Sequence, residues 1–224
     1  MHVLEGVLNT QELEGLRALI RRSRFADGAT SAGGVAKQVK ANQELVFPPQ
    51  EYQKFVRTIF DALMRHREFP RTTMPHELSA PMINRYGQGM TYGAHYDIPL
   101  MPTPDGPKIR CDLAATLFIS APNEYDGGEL CMMHLGREER IKLNAGDLFI
   151  YPAGTLHFVS PVSRGERLAV VFWIQSMVRD HDKRLMIASL DAVIGRIAAR
   201  EQQSEDVRDL SGVFANLVRL WADP

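Results

Sequence analysis

The chain has 224 residues, of which 26 are basic and 27 acidic, so its formal net charge is −1. A near-neutral chain has no general electrostatic attraction to nucleic acid or anionic membranes. No apolar segment approaches the roughly 20 residues of a bilayer-spanning helix. The two cysteines, Cys111 and Cys131, are too few for a disulfide framework or a four-thiolate zinc site. We therefore expect a soluble cytoplasmic protein whose seven histidines are its main stock of metal-binding side chains.

The first part of the chain, residues 1–76, is predicted to be an N-terminal helical flank. Asn9 or Thr10 can cap a first helix. One face of this helix carries the apolar residues Leu13, Leu16, Leu19 and Ile20. Segment 25–34 is rich in glycine, alanine and serine and is predicted as a loop. A second helix is predicted after the proline pair at 48–49.

Residues 77–177 are predicted to form a β core, because short apolar or alternating runs are separated there by turn signals. The runs lie at 81–86, 113–119, 129–134, 147–151 and 168–174. Many short strands at regular spacing favour a sandwich or a barrel-like jelly roll. Residues 178–224 return to amphipathic helical patterns and are predicted as a C-terminal helical extension. Packing of that extension on the core is one alternative, and a homodimer contact through 207–221 is the other.

A candidate metal motif lies inside the predicted β core, at His95 and Asp97. Side chains at positions i and i+2 of a strand project from the same face, so both residues can reach one ion. A similar pattern at 66–68 lies at the end of a predicted helix, where such side chains point apart. We interpret that second pattern as a solvated helix terminus, and His2, His76, His134 and His181 as structural or solvated.

A third candidate ligand comes from segment 146–157, which is predicted as a strand, a Pro-Ala-Gly turn and a histidine opening the next strand. Together His95, Asp97 and His157 would form a face of two histidines and one carboxylate. Such a face occupies three positions of an octahedron and leaves three for substrate and oxygen. Structural zinc prefers four protein ligands in a closed tetrahedron, and no suitable fourth ligand is evident.

A candidate anion-binding residue, Arg167, follows His157 by ten positions and opens the apolar strand 168–174. An even count around a hairpin can return Arg167 to the same inner face as His157. A guanidinium at the mouth of such a strand is costly to bury without an anionic partner. A ligand carboxylate that binds both guanidinium nitrogens would remove that cost.

These motifs together resemble the PKHD-type hydroxylases, which are prolyl-4-hydroxylase-like members of the iron(II)- and 2-oxoglutarate-dependent dioxygenases. The resemblance covers essentially the whole chain. It rests on the segments His95-Tyr96-Asp97, 112–118, 125–130 (Tyr-Asp-Gly-Gly-Glu-Leu), 145–147, His157, 164–167 and 172–179. The combination is specific, although no single segment is.

The resemblance implies a double-stranded β-helix with a jelly-roll, cupin-like core and with the N- and C-terminal helices packed outside. It implies that His95, Asp97 and His157 bind Fe(II) and that Arg167 binds the distal carboxylate of 2-oxoglutarate. Tyr86 is expected to add a hydrogen bond to this co-substrate. It further implies hydroxylation of a substrate with dioxygen, release of succinate and CO2, L-ascorbate as reductant, and a link to iron uptake. The substrate itself, small molecule or peptide, does not follow from the sequence.

Two other functions remain as alternatives. The second metal segment also resembles cupins, so a metal-dependent dioxygenase or isomerase that does not use 2-oxoglutarate is the runner-up. A non-catalytic metal-responsive binding protein with the same fold is the third. Arg167 discriminates the first two, since only a 2-oxoglutarate enzyme requires a carboxylate anchor after the last ligand. The proline-rich segment 98–107 directly follows the metal motif and is predicted as a loop, and its position makes it the best candidate for a lid that contacts the substrate.

Overall fold

The computed structural model describes residues 1–31, 33–102, 107–134, 136–201 and 204–223. The helices within these ranges are α1 (Thr10–Arg22), α2 (Gly34–Gln38), α3 (Pro49–Arg65), α4 (Glu68–Thr73), α5 (His181–Ala198) and α6 (Glu205–Trp221). The first strands are β1 (His2–Leu4), β2 (Arg24–Asp27), β3 (Lys40–Ala41), β4 (Gln43–Val46), β5 (Pro75–Leu78), β6 (Met82–Tyr86), β7 (Thr91–His95), β8 (Leu100–Met101) and β9 (Ile109–Arg110). The later strands are β10 (Leu113–Phe118), β11 (Tyr125–Gly127), β12 (Leu130–His134), β13 (Arg137–Ile141), β14 (Leu148–Pro152), β15 (His157–Val159), β16 (Val162–Gly165) and β17 (Arg167–Ser176).

Two antiparallel sheets form the core. The larger sheet has the order β1-β14-β10-β17-β6-β4-β2, with β5 also paired to β17, and the smaller has the order β13-β12-β15-β7-β3. Apolar side chains from both sheets meet in one buried cluster, which includes Phe118, Met132, Phe149 and Val159. The prediction of a mainly β fold with a jelly-roll core and flanking helices is therefore confirmed.

The long strand β17 shows how the sequence divides the two faces of the larger sheet. Side chains alternate between faces along a strand. Phe172 and Ile174 belong to the cluster that packs against the helices. Trp173 packs instead on the cluster between the sheets, which is also where the Arg167 guanidinium lies, near the Tyr86 ring. The same strand thus supports the outer helical layer and supplies polar groups to the interior.

Two N-terminal helices cover the outer face of the larger sheet. Asn9 caps α1 through a reciprocal pair of hydrogen bonds with Glu12. Helix α3 begins at the proline pair and buries Ile59 and Leu63 completely. These helices shield one side of the sheet from water, so that its other side can face the interior.

The N-terminal flank is not purely helical, and this corrects the prediction for residues 1–76. Strand β2 forms within the segment predicted as a loop and pairs with β4 at the edge of the larger sheet. Strand β3 pairs with β7 in the smaller sheet. Strands this short carry no readable periodicity, because their stability comes from hydrogen bonds to a partner far along the chain. The predicted boundaries of the β core, where it begins at residue 77 and where the C-terminal extension begins at residue 178, stay predictions.

The C-terminal helices α5 and α6 pack on each other and on a small cluster formed by Met74, Val178 and Ile187. Val213 and Leu220 of α6 nevertheless remain exposed. The homodimer contact through this helix stays a prediction. Within the described ranges, no helix combines the length and apolar character needed to cross a membrane.

The packing of α3 predicts a measurable stability difference between two of its side chains. Ile59 is 0% exposed and Met64 is 55% exposed. We expect Ile59→Ala to lower the free energy of unfolding by about 2–5 kcal/mol, because it leaves a cavity against the sheet. Met64→Ala on the same helix should change it by less than about 0.5 kcal/mol. Urea unfolding measures both, and equal losses would contradict this packing.

Candidate active site

Two histidines face each other across neighbouring strands of the smaller sheet. Strand β15 begins at His157, which pairs directly with His95 at the end of β7. The centroids of their imidazole rings lie 4.3 Å apart. Asp97 follows two residues after His95, and its Oδ1 lies 3.8 Å from His157 Nε2. One ligand atom from each of the three residues lies within 4.8 Å of the others. The structure thus brings together all three predicted ligands.

Both imidazoles are oriented by backbone carbonyls. His95 Nδ1 lies 2.7 Å from the carbonyl oxygen of Gly93, and His157 Nδ1 lies 2.9 Å from that of Thr155. Because a carbonyl oxygen only accepts, each Nδ1 carries the proton and donates it. Each Nε2 is then the unprotonated nitrogen, which is the form that binds a metal.

The electrostatics of the cluster fit a divalent cation. Burial lowers the pKa of both histidines, and for His95 the neighbouring His157 lowers it further. Burial raises the pKa of Asp97, while the nearby Trp173 indole N–H lowers it. Among the described residues, Asp97 Oδ2 is buried with no hydrogen-bond partner. A cation between two neutral imidazoles and this carboxylate would supply the missing partner. The residues therefore fit Fe(II), whose oxygen-activating sites use two histidines and one carboxylate.

A buried arginine lies at the other predicted subsite. Arg167 opens β17, pairs with Tyr86 of β6 and is 2% exposed. Its guanidinium carbon lies 5.2 Å from the centroid of the Tyr86 ring and 5.5 Å from that of Phe118. Within the described residues it forms no ion pair, and its Nε has no hydrogen-bond partner. A desolvated cation surrounded by aromatic rings is stable only with an anionic partner.

The phenol of Tyr86 lies beside this guanidinium and is fully buried. Burial raises its pKa to about 12, although the charge of Arg167 opposes that rise. The hydroxyl therefore stays protonated at neutral pH and can donate a hydrogen bond. This position agrees with the expectation that Tyr86 serves the same ligand as Arg167.

Sequence reasoning missed three aromatic side chains around the metal cluster. The Tyr92 ring stacks on His95 with 3.6 Å between centroids. The Tyr151 hydroxyl lies 3.3 Å from His157 Nε2. The third is Trp173, beside Asp97. Side chains alternate between the two faces of β17, so Trp173 could have been identified by counting from Arg167. Tyr92 could not, because it reaches His95 only where the register between β7 and β15 shifts.

The remaining predictions concern a loop, the other histidines and the thiols. In loop 98–107, β8 pairs with β9, and Ile98 and Leu100 are exposed, but residues 103–106 lie outside the described ranges. Its contact with substrate stays a prediction.

Among the described residues, the one cluster of three metal-capable side chains is the cluster at His95. Cys111 and Cys131 are both free thiols.

Comparison with known proteins places this site in a class. Residues 81–175, which hold all the predicted site residues, match the sequence model of the 2OG-Fe(II) oxygenase superfamily. The fold is similar to a prolyl-4-hydroxylase from Pseudomonas putida, at 20% identity and a TM-score of 0.53 over 78% of this chain and 91% of that one. It is also similar to HygX from Streptomyces hygroscopicus, solved with nickel and 2-oxoglutarate bound, at 15% identity and a TM-score of 0.55 over 78% and 82% of the two chains. The protein is an oxygenase of the Fe(II)- and 2-oxoglutarate-dependent class.

The C-terminal helices and the full-length relatives identify the family within that class. Residues 181–223 match the PKHD-type hydroxylase C-terminal domain. The PKHD-type hydroxylases YbiX of Escherichia coli and of Escherichia fergusonii are each 38% identical over 223 residues, which is 100% of this chain and 99% of theirs. The chain belongs to the PKHD-type hydroxylase family.

The ligand geometry generates a direct test of metal binding. We expect His157→Ala to weaken binding of Co(II) or Mn(II) by more than about 100-fold, since even the loss of an outer hydrogen-bond partner costs about 10–100-fold. His134→Ala removes an exposed histidine of the same sheet and should leave the affinity unchanged. Calorimetric titration measures both variants. Unaltered binding by the His157 variant would exclude this residue from the ligand set.

Proposed function

We propose that His95, Asp97 and His157 hold Fe(II), that Arg167 binds the distal carboxylate of 2-oxoglutarate, and that Tyr86 donates a hydrogen bond to the same co-substrate. Bound together, the metal and 2-oxoglutarate supply the chemistry that hydroxylates a substrate C–H bond and releases succinate and CO2. The observation that carries the proposal is the buried guanidinium of Arg167, which has no acidic partner among the described residues.

The protein's own contribution is to orient the reactants and to exclude water. His95 and His157 come from neighbouring strands, and Asp97 follows two residues after His95. Together they would hold the metal through three protein ligands, and a site of this composition leaves room for a co-substrate and substrate. Carbonyl oxygens fix the tautomers of both imidazoles. The aromatic walls formed by Tyr86, Phe118 and Tyr151 keep the interior of low polarity, which strengthens the attraction between Arg167 and a carboxylate.

The runner-up function, a cupin-type metal enzyme without 2-oxoglutarate, gives Arg167 no task. A buried cation that binds nothing would only destabilise the fold. The same argument disfavours a binding protein that merely retains the metal cluster. Arg167 lies within the barrel, on the face of β17 that Trp173 also occupies. This position supports the proposal that the enzyme uses 2-oxoglutarate.

Two finer parts of the proposal rest on the family, and a third rests on the exposed residues that follow His95. L-Ascorbate would serve as the reductant that keeps iron ferrous. A link to iron uptake follows from the same resemblance. The substrate would be a small molecule or a peptidyl group that enters near the exposed residues Tyr96, Ile98 and Leu100.

The co-substrate assignment is tested by anaerobic titration of the Fe(II)-loaded protein with 2-oxoglutarate, followed by the weak visible charge-transfer band of the chelate. Arg167→Gln should raise the required concentration by at least about 100-fold, because breaking a buried ion pair costs about 3–5 kcal/mol. The Fe(II) affinity of this variant should stay within about threefold. The control is Arg179→Gln, an exposed arginine. If wild type gives no band, or the Arg167 variant binds 2-oxoglutarate normally, the proposal fails.

Substrate identity is tested by a succinate-release screen over amino acids, peptides and small metabolites. A true substrate should raise succinate release above the uncoupled rate and gain one oxygen atom, as detected by mass spectrometry. Both signals should be lost in the His157→Ala variant. A compound that raises succinate release above the uncoupled rate without gaining an oxygen atom would contradict hydroxylation as the reaction.

A further inference from the structure

A second polar side chain faces Arg167, and the site described above does not use it. Tyr125 is 0% exposed, yet its hydroxyl makes no hydrogen bond of normal geometry with the described residues. Strand pairing places Tyr125 opposite Gly165, two residues before Arg167. Burial raises the pKa of this phenol, whereas the charge of Arg167 and a hydrogen-bonding interaction with its side chain lower that pKa, so the two groups lie next to each other. A buried phenol and a buried cation thus lie side by side, and the cation has no anionic partner among the described residues.

The motif at 125–128 is built to hold Tyr125 in this position. Strand β11 pairs with β16, so that Tyr125 lies opposite Gly165, two residues before Arg167. Gly165 has φ of +72°, and a Cβ there would lie 2.0 Å from the carbonyl oxygen of Glu124. Gly128 has φ of +64°, and a Cβ there would lie 3.1 Å from the Tyr125 ring. A larger residue at Gly165 would push the β11 backbone away from β16, and one at Gly128 would crowd the Tyr125 ring. These two glycines therefore allow the close approach.

A lysine fixes the same ring from outside. Lys142 Nζ donates a hydrogen bond of 2.7 Å to the backbone carbonyl of Tyr125 and lies 4.0 Å from the centroid of its ring. At the neighbouring position, Arg164 forms a bidentate ion pair with Asp126, which ties β16 to β11. The phenol is therefore held in one orientation before any ligand arrives.

We propose that the Tyr125 hydroxyl is a second donor to the distal carboxylate of 2-oxoglutarate, and hence a specificity-determining residue; this rests on the proposed function of Arg167. A carboxylate has two oxygens with several acceptor positions, which one guanidinium does not saturate. The Phe118 ring, which also lies next to Arg167, carries no hydrogen-bond donor. With Tyr125 included, one bound carboxylate gives a partner both to the Tyr125 hydroxyl and to the Arg167 guanidinium. The site then selects 2-oxo acids that carry a second carboxylate.

The test uses the Mn(II)-loaded full chain and calorimetric titration with two chelators. Tyr125→Phe removes only the hydroxyl and should weaken 2-oxoglutarate binding by about 10- to 100-fold, the effect of losing a hydrogen bond to a charged group. Oxalate chelates a metal but has no distal arm, so its affinity should be unchanged by the substitution. Tyr52→Phe, on α3 and away from the site, should leave both affinities at the wild-type value.

The outcomes separate this inference from the function on which it rests. If Arg167→Gln weakens 2-oxoglutarate binding and Tyr125→Phe does not, the role of Tyr125 is wrong and the proposed function stands. If neither variant weakens it, the proposed function fails as well. If Tyr125→Phe weakens oxalate and 2-oxoglutarate equally, the phenol only supports the fold and the inference is overturned.

Discussion

The candidate active site depends on one strand pairing, the antiparallel contact between β7 and β15 at His95 and His157. A shift of one residue in that register would turn an imidazole toward the opposite face of the sheet. Several contacts hold the register. His157 also pairs with Met132 of β12, and the Thr91 hydroxyl donates to the carbonyl oxygen of Val159 at 2.7 Å. The larger sheet and its helices stabilise this smaller sheet from the other side of the barrel.

The interior of the barrel concentrates polar groups that the fold itself does not satisfy. Among the described residues, Asp97 Oδ2 lacks a hydrogen-bond partner of normal geometry at the metal end, and Arg167 Nε and the Tyr125 hydroxyl lack one at the other end. Buried polar groups are normally paired, because an unpaired one destabilises the folded state. Such conflicts between local chemistry and global fold mark functional sites. Here they mark the two subsites that we propose, one for a cation and one for a carboxylate.

Much of this site could be predicted from the sequence because it follows strand alternation. Side chains on a strand alternate with a period of two residues. This period places His95 and Asp97 on one face and returns Arg167 to the same inner face as His157. Tyr92 escaped prediction because the shifted register in β7 breaks the alternation beside His95. Tyr125 escaped because its position depends on the pairing of β11 with β16. The strands of the N-terminal flank escaped for the same reason, since their partners lie far along the chain.

We expect the interior of this barrel to hold a metal ion at the two histidines and a carboxylate at Arg167. The decisive experiment is a crystal structure of the protein with Mn(II) and 2-oxoglutarate. In it we expect an ion bound by Nε2 of His95, Nε2 of His157 and one oxygen of Asp97, with the distal carboxylate on Arg167 and the Tyr125 hydroxyl. An ion held by other residues, or a co-substrate whose distal carboxylate avoids Arg167, would contradict this expectation.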